Sequence, residues 1–419
     1  MMLSSTPPPS RGFSRSIPLP QHSYGLSATE SAKATNSALP TVVSFVGTYL
    51  KPEMWHVYNQ ITGLRRYRSV VLTRLRENPH LFPEPQVEIF RHTPLPIWNK
   101  FHLKFIARAP REIYKGYKQS LQRSFDATRP DLLHIYFGHE ATRLARTLAH
   151  FDIPWLVSFH GADLGRYVLR PDDKPLLPLV FQNARLILAR CEYFIPRLIE
   201  LGCPAEKIRL NRTHIRPELF PFTERDWAPT DGAWQWCQAC RFLPKKGLTD
   251  TLLAFNFFRQ RYPHAHLHLA GDGPQRPEIE NRIRNMRLSD HVTLHGMLDR
   301  AALNALFARC HFFLHPSITD TEGDMEGVPN SMLEAMSTGL VCVGTRHAGI
   351  PEVLADGENG LLVPEKEPHT IAERLLDLVT RPENMRALSH RAAEHIRAHY
   401  TPERQITLLE DYYTEALVG

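Results

Sequence analysis

The chain has 419 residues, long for a single hydrophobic core, so two domains of roughly 200 residues are the starting expectation. Hydrophobic residues make up 42% and charged residues 22%, ordinary for a globular protein, and no apolar run reaches the ~18 residues that a membrane-crossing helix needs. The net charge of +6 suits phosphates or an anionic membrane surface as partners, but no compact basic and aromatic motif accompanies it to point to nucleic acid.

Residues 1–40 are rich in Ser, Pro and Arg, carry no acid before Glu30 and show no hydrophobic period. This composition predicts a disordered segment. A transit peptide shares the Ser and Arg bias, but the amphipathic pattern is missing, as is a secretory apolar core. From Thr41 short apolar runs alternate with helical periodicity. Strands are predicted at 42–46, 70–72, 86–90, 132–137, 155–159, 185–189 and 208–210, with helices at 53–65, 101–124, 140–150, 174–183 and 193–201. Pro-rich and acidic text at 217–232 reads as a linker between a first domain, 41–216, and a second, 233–400. Strands of the second domain are predicted at 233–239, 266–270, 292–295, 312–315 and 340–344. Helices follow at 370–378, 382–398 and 402–417, and residues 401–419 are expected to pack back towards the first domain. Alternating strands and helices give βαβ units, so each domain is predicted as a doubly wound parallel sheet. Ligands then belong at the carboxyl ends of the strands, in a cleft where the sheets face each other. The six cysteines, at 191, 203, 237, 240, 310 and 342, sit in apolar or strand-like contexts and read as reduced thiols of a cytoplasmic protein.

The stretch from His315 to Pro364 holds the densest chemistry. Glu326 and Glu334 are separated by seven residues and by one helix start, at Pro329 and Asn330. Proline suits a first helical position because the amide it lacks would have had no partner there. The remaining amides and the helix dipole make that terminus an anion site. Helical side chains lean towards the N-terminus, so Glu334 in the second turn can reach a ligand docked there, while Glu326 approaches from the loop. Two carboxylates around a phosphate-binding helix start call for a ligand with both phosphates and hydroxyls, such as a nucleotide sugar.

Taken as a block, Glu326-Gly327-Val328-Pro329 with Glu334-Ala335-Met336 and Gly339 resembles the Glu-seven-Glu signature of the family 4 glycosyltransferases, which have the GT-B fold. Gly349-Ile350-Pro351-Glu352, Asp356 to Gly360, Arg241 with Lys245-Lys246-Gly247, Gly271-Asp272-Gly273-Pro274 and Phe159 to Asp163 also match it, and the likeness runs from about 42 to 415. Two departures stand out. Gly47 to Trp55 replaces the usual glycine pair after the first strand, in a form similar to the subgroup of bacterial exopolysaccharide and colanic acid enzymes, and Cys240 replaces the glycine before Arg241.

The resemblance implies a retaining, nucleotide-sugar-dependent hexosyltransferase acting on a glycan or lipid-linked glycan, with no cofactor and no divalent metal. Glu326 would contact the donor sugar and Glu334 the ribose, with Gly271, Gly273, Gly327, Val328, Pro329 and Asn330 completing the donor site. Arg241 and Lys246 would hold the diphosphate, and His160 would stand against the donor sugar. Glu53, Trp55 and Asp163 are acceptor-side candidates, although Asp163 after Gly161-Ala162 also suits a helix N-cap. A catalytically silent scaffold or a nucleotide-sugar epimerase would share the fold.

Other motifs have blander readings. Cys237 and Cys240 have the spacing of a redox or zinc pair but lie in a strand without a second pair, which favours core thiols. His264, His266 and His268 share one strand face without a nearby carboxylate, so no metal site is assigned. Arg108, Arg111, Lys115, Lys118 and Arg123 interleave with Phe101, Phe105, Ile113, Tyr114 and Tyr117 in the predicted helix 101–124. Such a helix either packs on the sheet or rests peripherally on an anionic membrane.

Overall fold

A computed structural model describes residues 39–418 apart from 52, 53, 81, 84, 85, 92–94, 109, 110, 168 and 169. The disorder expected for the N-terminal segment and the acceptor-side candidate Glu53 therefore lie outside the described residues.

Among the described residues two parallel sheets form. The first contains β1 (Thr41–Tyr49), β2 (Arg68–Arg76), β3 (Val87–Ile89), β4 (Leu132–Tyr136), β5 (Trp155–Phe159), β6 (Leu186–Ala189) and β7 (Ile208–Leu210), in the order β3-β2-β1-β4-β5-β6-β7. The second contains β8 (Gln235–Ala239), β9 (His266–Ala270), β10 (Val292–Gly296), β11 (Phe312–His315), β12 (Val341–Thr345) and β13 (Leu361–Val363), in the order β10-β9-β8-β11-β12-β13. β1, β4, β5 and β11 are buried on both faces, which is why they read as continuous apolar runs. β13 escapes the sequence reading because Leu361–Val363 is too short to carry a period. In each sheet the strand order reverses once, between β1 and β4 and between β8 and β11. Loops after those strands diverge and leave a crevice.

The predicted helix 101–124 is broken in the structure. It divides into a helix Ile97–Phe101, a π-helical turn His102–Ile106, a short helix Arg111–Tyr114 and a helix Tyr117–Thr128. Arg108 and Gly116, at φ 46° and 71°, are left-handed and interrupt the hydrogen-bond ladder. Tyr117, Leu121 and Phe125 of the last piece join the first core, whereas Ile97–Ile106 contributes nothing to it.

The helix Pro402–Val418 returns to the first sheet. Its Leu409 and Tyr413 pack with Val42, Leu132 and Leu156. The Tyr413 hydroxyl bonds His134 Nδ1 at 2.7 Å, and Glu410 Oε1 accepts from the amides of Arg65 and Arg66, each at 2.6 Å. The linker is clipped to the second domain by half-buried Arg225. Its guanidinium donates to the carbonyls of Cys310, Thr223, Thr338 and Phe307 at 2.6–3.1 Å.

The two domains touch at the carboxyl ends of their strands. The turn after β5 lies against the loop before Glu326 so closely that a β-carbon at Gly161 would stand 2.7 Å from the Met325 carbonyl oxygen. Only glycine permits that approach. Polar contacts tie the same seam: Thr213 Oγ1 donates to Asn330 Oδ1 at 2.9 Å, Asn330 Nδ2 donates to His56 Nδ1 at 3.0 Å, and the Tyr193 amide donates to Glu352 Oε1 at 2.9 Å.

Candidate active site

The second domain's wall is built from the turn after β8 and the loop after β11, on either side of its switch point. Lys246, in the turn Pro244–Lys246, forms an ion pair with Glu326, and both side chains are largely buried. Burial opposes the charge on Glu326, but Lys246 and then Lys245 outweigh it and hold the carboxyl well below its usual range. Lys245 Nζ bonds Asp324 Oδ1 and the Met325 carbonyl, each at 3.0 Å, which fixes the loop carrying Glu326. Below the pair lies His315, fully buried and, among the described residues, with no hydrogen-bond partner for either ring nitrogen, its pKa pushed down to about 3 by burial and by Lys246. It is therefore a neutral imidazole beside two ammonium groups.

His347 positions the same loop. Its Nε2 accepts from the Glu326 amide at 3.0 Å, so the proton rides on Nδ1, which meets Glu365 Oε1 at 2.6 Å. The helix Asn330–Ser337 begins one residue later than the sequence suggests. Pro329, with ψ 123°, is the N-cap, and its carbonyl accepts from Met332 and Leu333. Its ring still occupies a position where no amide is needed. Glu334 follows on this helix. Among the described residues its half-buried carboxylate takes no hydrogen bond or ion pair, and burial pushes its pKa up to about 7.

Gly271 and Gly273 serve the turn that bears Arg241. At φ 128° and 157° they lie against the backbone of 240–242, and Phe242 N donates to the Asp272 carbonyl at 2.8 Å. Arg241 is on the exposed rim of that turn, while Lys246 occupies its buried end. Gly327 and Val328 connect Glu326 to the helix cap, with Val328 against the buried core.

The first domain's wall is less charged. The His160 amide donates to Asp163 Oδ2 at 2.9 Å, and its ring lies 5.6 Å from that of His56 and 4.4 Å from Phe137. Burial, then the nearby Arg190, drives the His160 pKa well below its ordinary value, so the ring is neutral. Asp163 is 1% exposed, and its other oxygen accepts from His139 Nδ1 at 2.8 Å. Both oxygens of Asp163 are thus engaged inside the first domain. His139, between Asp163 and Glu140, has its pKa raised to about 9: burial opposes the proton, but the two carboxylates outweigh it. The Trp55 ring lies 4.7 Å from that of Phe82, tilted by 54°, and its neighbour His56 reaches the seam.

Sequence reasoning passed over four groups here: Lys245 as loop anchor, His56, His347 and Arg190. Arg190 is 5% exposed, and its Nη1 donates to Asn211 Oδ1 at 3.3 Å. Among the described residues its Nη2 has no hydrogen-bond partner. A basic residue ending the apolar strand β6 was the available signal.

Two family models account for most of the chain: a glycosyl transferase 4-like domain matches residues 33–213 and the glycosyl transferases group 1 domain matches 222–395. The chain belongs to the family 4 glycosyltransferases. Relatives of this glycosyltransferase include the amylovoran biosynthesis glycosyltransferase AmsK of Erwinia amylovora, 32% identical over 59% of this chain and 61% of its own length. The putative colanic acid biosynthesis glycosyltransferase WcaL of Escherichia coli K12 is 30% identical over 59% and 61%. The chain thus spans about three fifths of these relatives. Among solved structures, Anabaena HepE in complex with UDP and glucose superposes with a TM-score of 0.72 at 17% identity, over 90% of this chain and 99% of that one. Sucrose-phosphate synthase from Thermosynechococcus elongatus gives 0.69 at 17% identity, over 90% and 99%. These likenesses establish the GT-B fold.

For the remaining motifs, His268 is bonded by His295 at 3.1 Å and by Gln235 at 3.0 Å, while His264 precedes β9 and is exposed. Among the described residues no three His, Cys, Asp or Glu side chains are grouped to hold a metal.

Proposed function

We propose that this glycosyltransferase moves a hexose, with retention, from a nucleotide diphosphate sugar to a glycan or lipid-linked glycan during exopolysaccharide assembly. The observation that carries the reading is Glu334: an unpartnered carboxylate in the helix that opens beside the Lys246–Glu326 pair. A carboxylate in that setting suits a vicinal diol such as ribose, and the helix start with Lys246 suits the adjoining diphosphate. The names of AmsK and WcaL support exopolysaccharide as the product class.

In this mechanism the bond from the anomeric carbon to the β-phosphate oxygen breaks while the acceptor oxygen bonds to that carbon on the same face. The acceptor proton passes to the departing phosphate. Lys246, with Arg241 at the rim, stabilises the growing phosphate charge. Glu326, kept ionised by its lysines, accepts hydroxyls of the hexose. Neutral His160 presents a lone pair or its backbone to the positive charge developing at the anomeric carbon. With these cations in place no divalent metal is required, and activity is expected to survive EDTA. Complete loss restored by magnesium or manganese would remove this part of the mechanism.

The deciding experiment is thermal stabilisation by a panel of nucleotide diphosphates and their sugars. A ligand at about 100 times its Kd adds roughly 2.7 kcal/mol to stability. One nucleotide sugar that shifts the wild type, and shifts Glu334→Ala and Lys246→Ala less, identifies the donor. No shift from any of them points to a silent scaffold, and turnover of the sugar nucleotide without acceptor points to an epimerase.

A further inference from the structure

Between β3 and β4 the first domain displays side chains that the proposed chemistry does not use. Ile97 is 83% exposed, Trp98 81%, Ile106 64%, Phe105 59% and Phe101 49%. No residue from Ile97 to Ile106 is buried, although six of the ten are large and apolar. The rings of Phe101 and Phe105 lie 5.1 Å apart, with Lys104 Nζ 4.7 Å over the Phe105 ring. Lys100 and Arg108 are exposed on the same segment. From Ile89 to Arg111 the sequence contains Arg91, Lys100, Lys104, Arg108 and Arg111 and no acidic residue.

We infer that Ile97–Arg108 is a docking surface for an anionic lipid membrane, with Trp98, Phe101, Phe105 and Ile106 entering the headgroup boundary and Lys100, Lys104 and Arg108 meeting lipid phosphates. Isolated exposed apolar residues are ordinary, but five within ten residues form a patch that calls for a partner. The charge selects which partner. Aromatic anchors interleaved with cations are the pattern of segments that lie in the membrane interface. A second copy of the chain would bring like charges face to face. Among the described residues no helix is long and apolar enough to cross a membrane, so contact here is by surface docking. The structure also moves this surface away from the helix Tyr117–Thr128, whose apolar side is spent on the core and whose Lys118 and Arg123 are exposed. The inference is independent of the catalytic proposal, because vesicle binding requires no donor or acceptor.

The test is co-sedimentation of the full chain with vesicles of phosphatidylcholine alone or with about a third phosphatidylglycerol at low salt. Wild type is expected to bind the anionic vesicles and not the neutral ones. Lys100→Glu with Lys104→Glu should weaken that binding roughly 30-fold, since each lysine near the surface contributes a factor of about five and two are lost. Trp98→Ser with Phe105→Ser, which leaves the charge unchanged, should weaken it about 10-fold. Lys118→Glu with Arg123→Glu alters net charge as much as the first pair and should change binding less than about threefold. Melting midpoints equal to wild type show that the variants are folded. Three results overturn the inference: absence of binding by wild type, equal losses from the two charge-reversal pairs, or a change in oligomeric state in place of vesicle binding in Trp98→Ser with Phe105→Ser.

Discussion

Arg225 in the linker is half-buried and Arg190 at the end of β6 is buried, and among the described residues neither has a carboxylate in ion-pair reach. Burial lowers the pKa of each to about 10. Their surroundings are opposite. Arg225 reaches four backbone carbonyls and the Thr338 hydroxyl, which compensates its desolvation. Arg190 has a long contact to Asn211 and an orphaned Nη2, with His160, His134 and His214 in its field. The same contrast holds for the cleft walls. Charges of the second domain come in pairs, Lys245 with Asp324 and Lys246 with Glu326, whereas the wall around His160 sets a neutral imidazole in the field of Arg190, with His139 paired to Asp163 and Glu140 behind it. Satisfied buried charge holds structure together. Unsatisfied buried charge is held at a cost in stability.

The largest effect is expected at the paired wall. Lys246→Met or Glu326→Gln should each lower kcat/KM roughly 100- to 1000-fold, because each removes charge aimed at the reacting group. Each single change also strands a buried charge, so melting should fall in both and recover in the double variant while activity does not. Recovery of activity in the double variant would show that the pair is structural only.

Next comes Arg225→Met, which removes a donor from four carbonyls and should cost about 2–4 kcal/mol in denaturant unfolding without shifting the pH profile of activity. Arg190→Met should do the reverse, leaving stability unchanged or slightly higher. If it destabilises as much as Arg225→Met, the distinction between the two arginines fails.

Glu334 tests the helix start through pH. Its folded pKa of about 7 lies above the ordinary 4.5, so in that interval the folded protein holds a proton that the unfolded chain has released. Stability should therefore fall as pH rises from 4.5 through 7. Glu334→Gln should escape that fall and gain about 1–3 kcal/mol over wild type at alkaline pH. A parallel pH dependence in both proteins would show that the carboxylate is solvated.

The smallest effect is electrostatic. Arg190→Met removes a cation that helps keep His160 neutral, so the acidic limb of kcat/KM should move upward by about half a pH unit. An unmoved limb would mean that burial alone sets the His160 protonation state.

These features differ in how far the sequence reveals them. Glu326 and Glu334 lie on one loop and one helix, so their spacing and the helix start between them are local facts. The doubly wound sheets are legible for the same reason, since each strand buried on both faces is a short apolar run. Local reasoning fails where conformation or contact is decided at a distance. The apolar spacing across 101–124 suggests one helix, but Arg108 and Gly116 are left-handed and the segment breaks. Lys245, His347 and Arg190 acquire their roles from residues 79, 21 and 21 positions away, respectively, and no period encodes such pairings. His56, next to Trp55, reaches Asn330 of the other domain, a contact that depends on how the domains dock and that no local pattern encodes.

The helix Pro402–Val418 imposes an order on synthesis. The first sheet is translated by Leu210, yet Glu410 caps the Arg65 and Arg66 amides and Tyr413 closes over His134. At typical elongation rates of 5–20 residues per second, the intervening ~190 residues take roughly 10–40 s to emerge. Throughout that interval the apolar strip of Val42, Leu132 and Leu156 lacks its cover. The nascent first domain is therefore an expected client of ribosome-associated chaperones until the second domain has been made.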